Sequence, residues 1–277
     1  MPATVAEKRA QFRKLHESGC FVVPNPWDLG SARYLQSLGF KALASTSSGF
    51  AWSMGRPDNG VSVDQVVAHL AALANGVDLP INADFESGYA KDLDGLGVNV
   101  ARAAASGVAG LSIEDSTGDK ASPLYDLPVA VERIKTARAA IDRVDPQVML
   151  VGRAEGFLVG RPDLAEVIAR LKAYSAAGAD CLYAPGLRSA DDVAAVVKAV
   201  APKPVNVLVG APTFTQAELA ALGVRRISVG GAMARSAWGE FMRVAQDIAK
   251  NGSFAGFKSA APFAELNGFF VDDLKRR

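Results

Sequence analysis

The stretch ADFESGY, residues 83–89, carries two carboxylates, Asp84 and Glu86, directly after a short apolar run. Side chains alternate along a strand, so Asp84 and Glu86 are predicted to share one face while Phe85 points to the other. Two ionised carboxylates this close repel each other, and one pKa rises unless a cation lies between them. The pair therefore indicates a bound cation.

A third carboxylate, Glu114, ends a later apolar run, GLSIED. A set of acidic side chains suits a hard divalent ion such as Mg²⁺, which takes oxygen ligands and keeps several waters. No His or Cys accompanies these acids, which argues against zinc. Asp84, Glu86 and Glu114 are thus the predicted ligands of Mg²⁺, with Mn²⁺ as the other candidate. The alternative is that these acids pair with Arg153 or cap helices.

Other polar side chains also follow apolar runs. STSSG, at 45–49, can bind a carboxylate through its N–H groups and hydroxyls, or it forms an ordinary Ser-rich turn. Arg153 can clamp a carboxylate bidentately or neutralise Glu114 and Glu155. VGG, at 229–231, is typical either of a phosphate cradle or of close helix–strand packing.

Eight apolar runs alternate with helical patterns along the chain. Gly recurs just before the runs, as at a helix C-cap, and several helical stretches open with a capping residue or Pro. This alternation predicts an α/β fold, a (β/α)8 TIM barrel, with a doubly wound sheet as the alternative. The predicted strands are 20–25, 41–46, 81–85, 110–115, 148–153, 181–185, 205–210 and 226–230, and the predicted helices include 62–75, 128–143, 162–177 and 190–200.

The chain is predicted to form one barrel domain, residues 1–250, followed by a helical tail, 251–277. With 277 residues, about half of them apolar, it is long enough for one large core. The tail carries aromatic residues in SFAGF, APFAEL and NGFF. We expect it to pack on a neighbouring subunit or to cap its own barrel.

Composition excludes several classes of partner. The formal net charge is +1 with acids and bases interspersed, so nucleic acid and membrane surfaces are poor partners. The start, MPATVAEKRAQF, lacks the apolar core of a signal peptide. Cys20 and Cys181 lie in apolar runs and are predicted to be reduced core thiols, which favours a cytoplasmic protein. His16 and His69 fall on helical patterns and are expected at the surface or on a helix face rather than on a metal.

Four stretches, in order, resemble the isocitrate lyase/phosphoenolpyruvate mutase superfamily. STSSGFAWSMGRPDNG resembles its substrate-carboxylate loop and the turn that carries an Asp. ADFESGY is similar to its metal segment Asp-x-Asp-Thr-Gly-Tyr, with Glu86 and Ser87 in place of Asp and Thr. LSIEDS resembles its Glu-Asp pair, and VGRAEGF its Arg-bearing strand. The similarity runs from about residue 20 to about residue 250.

The resemblance implies a (β/α)8 barrel whose last helix is exchanged between subunits, with dimers pairing into tetramers. It also implies that Mg²⁺ chelates a small 2-oxo or 2-hydroxy acid whose bonds are made or broken through an enolate. The implied roles are Asp84, Glu86 and Glu114 for the metal, Ser45, Thr46 and Ser47 for the substrate carboxylate, Arg153 for the enolate oxygen, Asp58 beside the metal waters, and Asn206 as the counterpart of an Asn of the lyases.

The chain departs from the family at two places. Its loop STGDKASPLYD, at 116–126, lacks the Cys and His of the isocitrate and methylisocitrate lyase loop, so those exact activities are not expected. Lys120 remains as a catalytic candidate there. Tyr183 stands where the mutase has a His.

Three functions stay open at this point. The first is a Mg²⁺-dependent carbon–carbon lyase of the oxaloacetate decarboxylase or methylisocitrate/dimethylmalate lyase kind. The second is phosphonomutase or phosphonopyruvate hydrolase chemistry at the same metal site. The third is a non-catalytic protein that binds a 2-oxo acid.

Overall fold

The computed structural model describes residues 2–276 and holds eight parallel strands in the order β1-β8-β7-β6-β5-β4-β3-β2. Met1 and Arg277, which the predicted domain and tail include, lie outside the described residues. The strands are β1 Phe21–Val23, β2 Leu43–Ala44, β3 Ile81–Asp84, β4 Gly110–Glu114, β5 Met149–Arg153, β6 Cys181–Tyr183, β7 Val205–Leu208 and β8 Arg226–Ser228.

The sheet closes into a barrel. The first strand pairs with the last, Val22 opposite Ile227, which a doubly wound sheet does not allow. Between β1 and β2, the Ala44 N–H donates to the Pro24 carbonyl at 3.1 Å. The predicted (β/α)8 barrel is therefore confirmed, and all eight apolar runs contain a strand.

Helices surround the barrel, and many begin at the capping residues that the sequence shows. The Ser62 hydroxyl accepts the Gln65 N–H at the start of the helix Val63–Gly76, and the Asp163 carboxylate accepts the Glu166 N–H at the start of the helix Leu164–Ala176. The helices are α1 Val5–Leu15, α2 Leu29–Ser37, α3 Ser47–Ser53, α4 Val63–Gly76, α5 Leu93–Ala105, α6 Leu127–Val144, α7 Leu164–Ala176, α8 Ala190–Val200, α9 Gln216–Ala221, α10 Ala232–Asn251 and α11 Phe263–Lys275.

Helix α1 covers the end of the barrel opposite the strand C-termini. Phe12 is fully buried there, and a Cβ on Gly110 would lie 2.8 Å from its ring. Lys8 donates to the carbonyls of Ala74 and Val77 at 2.7 and 2.6 Å, where α4 ends. These bonds satisfy carbonyls that a helix end leaves without partners.

The tail consists of a 3₁₀ turn at Ala255–Ser259 and helix α11. Helix α11 lies against α2 of the same chain, where the Phe269 and Tyr34 rings are 5.3 Å apart. The tail and α10 nevertheless leave large apolar side chains in solvent, for example Phe263, which is 83% exposed. Exchange of the last helix between subunits stays a prediction.

His16 and the two cysteines lie at or before the start of a strand, whereas His69 stacks on Phe50 of α3 with ring centroids 4.0 Å apart. Both cysteines are free thiols, and Cys181 is buried. His16 is buried between Phe12 and Phe21 rather than on the surface, because it ends the helix that covers the barrel. Within residues 2–276, no helix is both long and apolar enough to cross a membrane.

Candidate active site

The two acids of ADFESGY do not continue one strand. Strand β3 ends at Asp84, and Glu86 turns into the left-handed region with φ of 48°. Phe85 is fully buried in the core, as the alternation predicts. Glu86 is thus aimed by a turn rather than by the pleat, and its backbone carbonyl accepts the Glu114 N–H at 3.0 Å.

Arg153 lies at the centre of the acidic residues. Its Nη1 is 3.1 Å from Asp84 Oδ1 and 3.1 Å from Glu114 Oε2, while its Nε donates to Glu155. Adjacent strand ends β4 and β5 bring Glu114 opposite Arg153 in register. The sequence alternative, pairing of the acids with Arg153, is therefore observed for Asp84 and Glu114. In the described part of the chain it does not extend to Glu86.

Burial makes these carboxylates hard to ionise. It raises the pKa of Glu86 to about 7, and the charge of Asp84 adds to the shift. Burial also raises the pKa of Glu114 well above its usual range, although Arg153 opposes it. Ionisation of all of these carboxyls would place more negative charge at the site than one guanidinium neutralises, and a further cation would relieve that cost.

The predicted carboxylate loop borders the same site. The Ser45 hydroxyl accepts the Asp84 N–H at 2.8 Å, and the Ser47 N–H donates to Asp84 Oδ2 at 2.9 Å. Thr46 caps helix α3, its hydroxyl accepting the Gly49 N–H at 3.3 Å. The loop therefore fixes Asp84 directly, and the Ser45 hydroxyl keeps its own proton for donation.

Asp58 lies on an exposed loop that turns back toward this site. Surrounding protein atoms and then the Asp84 charge raise its pKa, while a hydrogen bond from Ser47 opposes the shift. The family resemblance implies a place for Asp58 beside the metal waters, whereas its local sequence, GRPDNG, is that of an ordinary turn. The structure brings it within electrostatic range of Asp84.

The donor chemistry of the site fits a hard divalent cation. Glu86 Oε1 is buried without a hydrogen-bond partner, so an acceptor remains for a cation. Within residues 2–276, no three acidic, His or Cys side chains converge closely enough to enclose a metal by themselves. Because Mg²⁺ keeps several waters and is bound through one or two carboxylates, the residues fit a water-rich site rather than a closed cage.

A buried hydrogen-bond network fixes the C-terminal ends of β4 and β5. Asp115 Oδ1 accepts the Glu155 N–H at 2.8 Å, and Oδ2 accepts from Arg170 at 3.2 Å and from the Tyr174 hydroxyl. The Glu155 side chain in turn holds Arg153. The sequence alternative in which Arg153 neutralises Glu155 as well as Glu114 is thus observed. Arg170 and Tyr174 lie within a helix pattern that gives no signal of this network.

Two predicted residues are not joined to this cluster by direct contacts. Asn206 is fully buried in the barrel, where its amide donates to Ser228 at 2.9 Å and accepts from Arg226 at 2.8 Å. Lys120 is exposed on loop 116–126, beside a cavity of 260 Å³ that Val159 also lines. Their predicted roles stay predictions.

The VGG turn at 229–231 and Tyr183 both contact other residues of the chain. The N–H groups of Val229 and Gly230 both donate to Asn25 Oδ1 at 2.9 Å, so this turn is occupied by its own chain. Tyr183 stacks beside Arg153, whose Cζ is 5.3 Å from the ring centroid. Tyr183 therefore forms part of the wall of the site.

Comparison with known proteins agrees with this geometry. A lyase/mutase, so described provisionally, from Burkholderia cenocepacia J2315 has a solved structure with 44% identity and a TM-score of 0.93, covering 96% of this chain and 97% of that one. A phosphonopyruvate hydrolase solved with oxalate and Mg²⁺ has 25% identity and a TM-score of 0.84, covering 97% and 96%.

Sequence comparison gives relatives with a named reaction. The oxaloacetate decarboxylase of Pseudomonas aeruginosa is 30% identical over 235 residues, which are 82% of this chain and 80% of that protein. The family model described as phosphoenolpyruvate phosphomutase matches residues 12–249. The chain therefore belongs to the phosphoenolpyruvate phosphomutase family, within the superfamily that its motifs resemble.

Proposed function

We propose that this protein is a Mg²⁺-dependent carbon–carbon lyase for a small 2-oxo or 2-hydroxy dicarboxylic acid, with oxaloacetate decarboxylation as the first candidate reaction. The observation that carries the proposal is Arg153 held between Asp84 and Glu114 beside Glu86, whose buried Oε1 lacks a hydrogen-bond partner. The family and the 30% identical decarboxylases support it.

The chain's own residues suit the chemistry of a pyruvate-like enolate. Asp84, Glu86 and Glu114 would hold Mg²⁺, partly through water, and the ion would polarise the oxo and carboxylate oxygens of the substrate. The Ser45–Ser47 loop binds the substrate carboxylate. When the carbon–carbon bond breaks, its electron pair moves to the oxo oxygen, and an Arg153 N–H donates to that oxygen.

Decarboxylation also suits the loop at 116–126. CO₂ leaves as a neutral molecule, so no protein acid is needed on the leaving group. That loop carries neither Cys nor His. The enolate that remains takes one proton to give pyruvate. Phosphonopyruvate hydrolysis is the second candidate, favoured by the structural similarity to the hydrolase with oxalate and Mg²⁺.

A pyruvate-release assay tests the proposal. Oxaloacetate, methylisocitrate, dimethylmalate, acylpyruvates and phosphonopyruvate are compared with Mg²⁺ and with a chelator. We expect Mg²⁺-dependent pyruvate from a carbon substrate. Pyruvate with phosphate from phosphonopyruvate assigns the second candidate instead, and Mg²⁺-dependent binding of a 2-oxo acid without turnover of any of these substrates indicates a binding protein.

The metal assignment is tested separately with Glu114→Gln. The substitution keeps the shape of the side chain and removes its charge, and we expect Mg²⁺ affinity to fall by about 10- to 100-fold. Glu132→Gln, an exposed acid on α6 paired with Lys135, is the matched control. Unchanged affinity in Glu114→Gln contradicts the assignment of this ligand.

A further inference from the structure

The segment after β3, residues 86–91, has a backbone conformation that most residues avoid. Glu86 and Tyr89 have φ of 48° and 53°, and Gly88 has φ of 83°. Non-glycine residues persist in the left-handed region only where the surrounding structure fixes them. A Cβ on Gly88 would lie 2.1 Å from the Leu96 side chain, so a larger residue there is excluded too.

Arg133, on helix α6, fixes this segment through its backbone carbonyls. Nη1 donates to the Lys91 carbonyl at 3.0 Å, and Nη2 donates to the carbonyls of Ala90, at 2.8 Å, and Ser87. The Arg133 residue is only 1% exposed. Asn99 adds two bonds of 3.1 Å to carbonyls of the same segment.

The guanidinium of Arg133 is bound by neutral groups rather than by a carboxylate. Within residues 2–276 it forms no ion pair, and the Tyr125 ring lies 4.5 Å from its Cζ. Burying a charge is costly unless polar groups surround it. Here the carbonyls of one strained turn supply that surrounding, so the turn and the charge stabilise each other.

The turn that Arg133 holds is the one that aims Glu86. Glu86 opens the segment, and its carbonyl accepts the Glu114 N–H at 3.0 Å. Arg133, Glu114 and Arg153 also border one narrow interior gap behind the site. We propose that Arg133 is a positioning residue of the metal site, which sets divalent-cation affinity by fixing the turn that presents the Glu86 carboxylate. The inference rests on the proposed metal-dependent function.

A titration of the full chain with Mn²⁺, followed by electron paramagnetic resonance without substrate, tests the inference. Mn²⁺ takes the same oxygen ligands as Mg²⁺ and is observed directly. We expect Arg133→Met to raise the Mn²⁺ dissociation constant by about 10- to 100-fold, as loss of a residue behind a ligand does. Arg133→Lys keeps the charge but has fewer donors, so it should give an intermediate dissociation constant.

Arg9→Met is the matched control. Arg9 is also buried and donates to backbone carbonyls, those of Val108 and Ala104, at the opposite end of the barrel, although unlike Arg133 it also pairs with a carboxylate, that of Asp145. We expect it to lower the melting temperature and to leave the Mn²⁺ dissociation constant unchanged. An Arg133→Met protein with the Mn²⁺ affinity of Arg9→Met overturns the inference.

The remaining outcomes are also decisive. If Arg133→Met does not fold, Arg133→Lys decides, since a wild-type dissociation constant there overturns the inference and a raised one supports it. A wild-type chain that binds no Mn²⁺ refutes the proposed metal-dependent function, and the inference with it. If the wild-type chain binds Mn²⁺ and Arg133→Met has the same Mn²⁺ dissociation constant, only the positioning role is refuted.

Discussion

The carboxylates of the site are arranged around one guanidinium, that of Arg153. Its fork reaches Asp84 and Glu114 through Nη1 and Glu155 through Nε. A lysine carries the same charge but lacks the planar set of donors. The position is therefore sensitive to geometry as well as to charge.

We expect Arg153→Lys to lower kcat for pyruvate release by about 100- to 1,000-fold, because a donor to the developing enolate oxygen is displaced. Steady-state kinetics at saturating Mg²⁺ measure the effect. Arg161→Lys, an exposed arginine paired with Glu166, is the control and should retain wild-type kcat. A wild-type kcat in Arg153→Lys contradicts the role of Arg153 in the reaction.

His16 makes the folded protein sensitive to acid. Burial, and then the charge of Arg226, lowers the pKa of His16 to about 3, against about 6.5 in an unfolded chain. Between these values the unfolded chain binds a proton that the folded chain does not. The stability is therefore complete above about pH 6.5 and falls as the pH decreases.

Substitution of His16 by Phe should reduce this sensitivity. Between pH 7.5 and pH 5, the wild-type free energy of unfolding should fall by about 2 kcal/mol more than that of His16→Phe. Urea unfolding of both proteins at the two pH values measures the difference. Equal losses in the two proteins would show that His16 is not the responsible group.

Among the residues of the site, sequence reasoning succeeded where strand alternation alone decides. Asp84 follows the pleat and lies beside Arg153. Glu86 does not, because its left-handed turn depends on Arg133, a residue 47 positions later in the chain. A contact of this kind leaves no local pattern, and neither does the buried bonding of Asn206 to Arg226.

At the scale of elements, the capping residues made the alternation of strands and helices predictable from the sequence. The ends of the strands were less predictable. The run at 41–46 contains a strand of only two residues, Leu43–Ala44, because Thr46 already caps helix α3. Apolar composition therefore overstates strand length wherever a helix begins close to the barrel. The order of the eight strands followed from repetition alone.

Helix α1 is an element whose contribution we expect to be stability. Lys8→Met removes the donor to two carbonyls at the end of α4, which should lower the free energy of unfolding by about 1–3 kcal/mol. Urea unfolding measures the change, with the exposed Lys14→Met in the same helix as control. Similar losses in the two variants would contradict the capping role.

At the scale of the molecule, the exposed apolar residues of α10 and the tail imply a partner surface. Phe241 and Phe254 are 60% and 64% exposed, and contiguous apolar surface of this kind is typical of an interface. Ala234 is the buried residue of helix α10, so the helix packs little against its own barrel. Self-association through this region remains our prediction.

Phe241→Glu tests the prediction without deleting any element. A charge placed in an apolar interface should weaken self-association by about 10- to 100-fold, because that factor corresponds to the free energy of burying one aromatic side chain. Light scattering during size-exclusion chromatography measures the mass over a range of concentrations. Gln246→Glu adds the same charge at an exposed polar position of the helix and should leave the mass unchanged. A variant with the wild-type mass would place the interface elsewhere.

We expect the barrel to open most easily at the closure between β1 and β2. There the Ala44 N–H meets the Pro24 carbonyl, and the Asn25 side chain donates to the Ser45 carbonyl at 2.8 Å. This seam lacks the regular ladder that joins β1 to β8. Local opening of the seam would expose the backbone that leads into the Ser45–Ser47 loop. A ligand bound at that loop should therefore slow amide hydrogen exchange at Ala44 more than at Ile227. Ile227 lies in β8, the strand that pairs with the other edge of β1.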